Sequence, residues 1–181
     1  MVKKTHKEKI ERVRERNDIL FKKSPNSPLT HEQKLDFKGL TYFPIDKKYE
    51  FIAEMKKFEH QSDITIPTTT GDKRTYIRFG FIEFEIDGQV NTLTIFKPIE
   101  DDYLFLPFKD KTTGNESYKI GRYLEIEKIS KDKYLVDFNA AYNPLCAYND
   151  NWNCSYTPDE NILKIPIQAG MKIYSDYRGS H

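Results

Sequence analysis

The chain has 181 residues, with 29 Lys and Arg against 28 Asp and Glu and a formal charge of +1. That length suits one domain, or one domain with a short appendage, and buries about two-thirds of the unfolded surface, so the core needs neither metal nor disulfide to form. Balanced charge removes the basic surplus expected of a nucleic-acid binder, and no run reaches the ~18 apolar residues of a membrane span.

From about Thr5 to Lys23 the sequence predicts a helix. Thr5 and Glu8 have capping-box spacing, and Ile10, Val13, Asn17, Leu20 and Phe21 form a narrow stripe with charges elsewhere. The stripe either packs on the domain or pairs two copies in a homodimer. Ser24-Pro25-Asn26-Ser27-Pro28 ends the helix, and a short helical segment over Thr30 to Leu35 follows. Residues 1–28 are thus an N-terminal helix with a Pro-rich linker. Residues 29–177 read as one β-rich domain, and 178–181 (Arg-Gly-Ser-His) as a purification-tag remnant. The charged N-terminus places the protein in the cytoplasm, export with a leader already removed being the alternative.

After Phe43-Pro44-Ile45-Asp46 the pattern changes to strands, as twelve Tyr and twelve Phe favour. Tyr49, Phe51, Ala53 and Met55 alternate onto one face. Between Tyr76 and Ile86 the alternation slips phase beside Gly80, which predicts a bulge or bend. Asp87-Gly88 is a two-residue hairpin turn. Tyr103 to Phe108 predicts a buried strand that ends or bulges at Pro107. Two strands follow around Leu124–Ile126 and Tyr134–Phe138, and a last one carries Leu163, Ile165 and Ile167. The fold class is mainly β: an antiparallel β-barrel or β-sandwich with an N-terminal α-helix.

The stretch from Asp137 to Asn161 stands out. It holds both cysteines, the one tryptophan, two prolines and six asparagines. It is too polar for core and too aromatic for a plain linker. Asp137 and Asn139 are two apart on an expected strand and so share a face. Arg122 is the natural partner of Asp137, forming with it either a brace or a pocket wall. The candidate ligand-binding residues are Arg122, Asp137, Asn139, Tyr142, Asn143, Glu116, Glu160 and Asn161. Glu116, Asp137 and Glu160 are also the carboxylates that paired acid–base work would use. Tyr142, Tyr148 and Trp152 either stack on a flat ligand or plug the loop onto the sheet. Thr68 to Arg74 is a weak candidate cradle for an anion. Cys146 and Cys154 lack zinc spacing, and His6, His31 and His60 lie far from the dense region, so no metal or cofactor is expected.

Several runs resemble a known family. They are Tyr103-Leu104-Phe105-Leu106-Pro107-Phe108, Gly121-Arg122-Tyr123-Leu124, Asp137-Phe138-Asn139, Ala141-Tyr142-Asn143-Pro144, Cys146-Ala147-Tyr148 and Ala169-Gly170, with Cys154, Pro158 and Glu160-Asn161. Over roughly Leu35 to Ile173 the chain resembles the prokaryotic DUF1684 family of unknown function. The resemblance brings an identity without an activity. It departs from the family at Ala140, where relatives carry a basic residue, and at Lys119, Met171 and Ser155 to Thr157. The leading function is a small-ligand binding module with its pocket at one end of a barrel. The alternatives are a hydrolase-like enzyme using paired carboxylates and an interaction protein whose long loop is structural.

Overall fold

The computed structural model describes residues 4–174; the tag-like tetrapeptide lies outside them. Helix α1 spans His6–Lys23 and α2 spans His31–Asp36. Thr5 and Glu8 close the expected capping box on α1, and Thr30 with Gln33 closes another on α2. Each box satisfies backbone N–H groups that would otherwise lack partners. No helix among the described residues is long and apolar enough to cross a membrane.

Eight strands follow: β1 Glu50–Lys56, β2 Asp63–Pro67, β3 Lys73–Ile86, β4 Gln89–Pro98, β5 Leu106–Phe108, β6 Arg122–Leu124, β7 Glu127–Lys128 and β8 Lys133–Asp137. All pairings between them are antiparallel. The long strand β3 is the centre of a six-stranded sheet. It carries β4 along one edge and first β2, then β1, along the other; β8 and β7 extend the sheet beyond β1. Strands β5 and β6 form a second, two-stranded sheet, joined to β4 by a single bridge between Phe96 and Phe105. No closed barrel is found among the described strands.

The phase slip in β3 is a bulge. Arg78 pairs with Phe96 and Gly80 with Ile95, which leaves Phe79 as the extra residue. The bulge lets one strand serve two clusters. Before it, Tyr76 packs with Phe96 and Phe105. After it, Ile82, Phe84 and Ile86 join Leu93, Ile95, Val136 and Phe138 in the main core. Gly80 is required by proximity, because a Cβ there would stand 2.6 Å from the Lys56 carbonyl oxygen. At the hairpin tip Asp87 and Gly88 both have positive φ, 50° and 74°, as a two-residue primed turn demands.

Leu163, Ile165 and Ile167 are buried and alternate with exposed neighbours, as a strand would. They nevertheless form no strand. Their segment pairs only briefly with the chain after β5, Leu163 N donating to Lys109 O at 2.8 Å and Lys111 N to Ile165 O at 3.2 Å, and beyond that its carbonyls go to Arg122, which is 1% exposed. Its Nη2 donates to Asp110 Oδ2 at 2.6 Å and to the Ile167 carbonyl at 2.8 Å. Its Nη1 donates to the carbonyls of Ala169 and Met171. A guanidinium thus takes the carbonyls that a neighbouring strand would have taken. Its faces lie against Phe43 and Phe108, with the guanidinium carbon 5.5 and 5.0 Å from the ring centres.

Two stability measurements check these contacts. Asp110→Ala leaves a buried cation unpaired and is expected to cost about 3–5 kcal/mol of unfolding free energy in urea titrations. A loss near that of an ordinary surface substitution would remove Arg122 from its central role. Gly80→Val forces β1 and β3 apart and is expected to cost about 1–3 kcal/mol or more, with loss of the β1–β3 register; an unchanged midpoint would show that the bulge tolerates a side chain.

Candidate functional site

The eight candidate residues do not converge. Arg122 pairs with Asp110, not with Asp137. Asp137 instead caps the one-turn 3-10 helix Phe138–Ala140 and receives His6 Nε2 at 2.8 Å on its second oxygen. Asn139 therefore sits on that turn rather than on a strand. Its side-chain amide pairs with Asp46 like a backbone peptide, accepting from Asp46 N at 2.9 Å and donating to Asp46 O at 2.8 Å. Asn161 does the same between β4 and β5. It accepts from Thr94 N at 2.8 Å and donates to Thr94 O and Pro107 O at 2.8 and 2.7 Å. Asn143 donates to Lys172 O at 2.8 Å.

The carboxylates are separately engaged. Glu160 takes Arg78 on one oxygen and the Thr94 hydroxyl on the other, both at 2.9 Å. Glu116 lies 4.0 Å from the Lys172 ammonium. The paired-carboxylate alternative has no shared pair among these three to rest on. His6, placed far from the dense region by sequence, reaches it through α1. With Glu50 and Asp137 it brings three ligand-type atoms within 4.8 Å. Lys47 contacts Glu50 there and Arg14 adds further positive charge near Asp137, so the group is a mixed ion network tying the helix to β1 and β8.

The turn at Thr68 spends several of the N–H groups that an anion cradle would use. Its backbone N–H groups donate within the chain, Thr68 to Asp72 O and Thr69 to Cys154 O, each at 2.9 Å. It clamps the long loop instead, with the Thr69 hydroxyl donating to Trp152 O and accepting from Cys154 N. Tyr148 is a plug. It is 0% exposed, edge-on to Phe21 at 4.8 Å, and burial pushes its phenol pKa up.

One candidate, Tyr142, lines a concavity of about 750 Å³ beside β6 and the loop from Asp137 to Asn161. Its other aromatic walls are Tyr76, Tyr103, Phe105, Tyr123 and Tyr134, and its charged groups are Arg74, Glu125 and Lys128. The rings hold one another. Phe105 stacks on Tyr76 at 5.2 Å and meets Tyr123 edge-on at 4.8 Å, and Tyr123 meets Tyr142 at 6.0 Å. Their hydroxyls are fixed as well. Tyr123 donates to Ser155 O at 2.6 Å, and Tyr76 shares a 2.8 Å hydrogen bond with Ser155 Oγ. Burial pushes the Tyr123 and Tyr142 phenols well above the ordinary range, and for Tyr142 the Glu125 carboxylate adds to it. These walls keep their protons at neutral pH and present apolar faces with fixed polar tips.

Sequence reasoning missed most of this cavity. Tyr103 and Phe105 sit in a run apolar on both faces, which reads as buried strand, yet Tyr103 is 50% exposed. Tyr123 stands between Arg122 and Leu124 and points away from both into the cavity side of β6. The aromatics two apart at Tyr103 and Phe105, with Tyr123 on β6, were the available signal.

A second concavity, about 610 Å³, is lined by Ile64, Ile66, Arg78, Lys109, Tyr156 and Glu160. There Arg78 and Glu160 already neutralise each other.

Among solved structures, the chain is similar to the solution NMR structure of the uncharacterized protein from gene locus rrnAC0354 of Haloarcula marismortui. Identity is 32%, the match covers 94% of this chain and 96% of that one, and the TM-score is 0.71. No curated protein matches the chain. The family model described as "Protein of unknown function (DUF1684)" matches residues 35–172. That span contains β1 to β8, Arg122 with its partners and all the aromatic walls of the cavity, and the chain belongs to the DUF1684 family.

Proposed function

We propose that this protein is a small-ligand binding module and that its site is the aromatic cavity beside β6. The observation that carries the reading is the wall itself: six rings and few charges around about 750 Å³. That volume lies in the usual range of ligand pockets, which are mostly apolar with a few placed polar groups. Rings that stack on one another lose little side-chain entropy on binding, because packing has already fixed them. The charged groups favour an anion. Arg74 and Lys128 face one carboxylate, Glu125, and Glu125 is already engaged by Tyr142. The ligand class is therefore a flat, largely apolar molecule carrying one acidic group. Of the eight candidate residues, Tyr142 contacts it; Arg122 and Asn161 act by holding the strands β6 and β5 that carry the walls.

The probe is anilinonaphthalene sulfonate, a planar apolar anion, added to the native protein. At about a hundredfold its dissociation constant, binding is expected to stabilise the fold by about 2.7 kcal/mol, seen as a rise in the thermal midpoint. Arg74→Ala and Tyr142→Ala are each expected to weaken binding several-fold while leaving the ligand-free midpoint close to wild type for Arg74→Ala. No rise in the midpoint with this probe or with a panel of aromatic carboxylates would overturn the reading.

A further inference from the structure

Cys146 and Cys154 are the two cysteines of the chain, and both are buried and unbridged. Cys146 lies in the one-turn 3-10 helix Leu145–Ala147, and its backbone N–H donates to Cys154 Sγ at 3.3 Å. Each cysteine is also the largest influence on the other's thiol, so the two side chains are close neighbours. The pair is asymmetric. Cys154 lines the aromatic cavity and Cys146 does not. The Tyr118 hydroxyl covers Cys146 from behind, donating to its carbonyl at 3.2 Å.

The surroundings favour negative charge on Cys154. The Cys146 thiol and the backbone N–H groups of Cys146 and Leu145 point at its sulfur, and the Arg74 guanidinium is near; these outweigh burial and lower its pKa. The facing Cys154 and burial push the Cys146 thiol up. Donors of this kind mark attacking cysteines, whereas inert buried ones lack them.

We propose that Cys146 and Cys154 form a redox-active dithiol, oxidised by a hydroperoxide that enters through the aromatic cavity, with Cys154 attacking and Cys146 resolving. In the first step the Cys154 thiolate attacks the terminal peroxide oxygen. The S–O bond forms, the O–O bond breaks, and the alkoxide leaves to take a proton from water. Cys154 becomes a sulfenic acid, oxidised by two electrons as the peroxide is reduced. In the second step Cys146 attacks that sulfur. The S–S bond forms and the S–O bond breaks, and the departing hydroxide leaves as water with the Cys146 proton. The cavity serves here only as an access path, so this holds whether or not it retains an aromatic anion.

The test is intact-mass and peptide mapping of the full chain with cumene hydroperoxide and no other ligand. Wild type is expected to lose both thiols and the mass of two hydrogens, and to regain them with dithiothreitol. Cys146→Ser should stop at a dimedone-trapped sulfenic acid on Cys154, and Cys154→Ser should leave Cys146 a thiol. Because either variant removes a buried group, iodoacetamide labelling of folded wild type is the second measurement. Cys154 should label many-fold faster than Cys146. Equal or reversed labelling, Cys154 over-oxidised with Cys146 still free, or both thiols surviving excess peroxide in the folded protein would each overturn the proposal. Failure of the sulfonate probe to bind leaves every one of these readouts intact.

Discussion

A buried guanidinium is tolerable only when its charge is matched and its N–H groups are occupied. Arg122 has its charge matched by Asp110 and both terminal nitrogens occupied by Asp110 and three main-chain carbonyls, with Nε alone left unpaired, and these partners come from two separate parts of the chain's second half. Asp110 belongs to the loop after β5 and uses its other oxygen to accept from Thr112 N, so the same carboxylate shapes that loop. The carbonyls belong to the segment that closes the main core with Leu163, Ile165 and Ile167. One side chain thereby fixes a loop, a short strand and an extended segment against a common point. The cavity depends on this, since Tyr123 is the next residue along β6.

Side-chain amides extend the same logic. Asn139 and Asn161 each offer a donor and an acceptor in the geometry of a peptide group, and each is used where the chain has no strand neighbour to supply one. Pro107 makes the need explicit. Its carbonyl receives Asn161 Nδ2 in a stretch of β5 where proline has no N–H to give. The composition of the region from Asp137 to Asn161, polar yet largely buried, follows from this. Asn139 and Asn161 stand in for missing backbone partners, and the region's aromatics fill the space beneath α1 and beside the cavity.

What the sequence discloses is what short-range physics decides. The capping boxes, the bulge at Phe79–Gly80 and the turn at Asp87-Gly88 each depend on residues within a few positions, and all are legible. β2 is missed because Asp63 to Pro67 is short and has one fully buried side chain, Ile66. The expected strand at Leu163 fails for a long-range reason: its pairing with Lys109 to Lys111 is short, and the carbonyls that would extend it are taken by Arg122. The candidate site fares similarly. Asp137 and Arg122 are a chemically sound pair, but Asp110 is nearer in the fold, and His6 reaches Asp137 across 131 positions. Charge complementarity names the kinds of partner; only the packed chain selects among them.

The amide of Asn161 has one more consequence. Strand β4 lies at the rim of the sheet, and a rim strand exposes alternate N–H and C=O groups that can recruit a strand from another molecule. Asn161 occupies both of these groups at Thr94, and the Phe96–Phe105 bridge occupies the next pair. The rim is thus closed to intermolecular pairing along its middle by a side chain and a single bridge, a guard against aggregation that needs no additional strand.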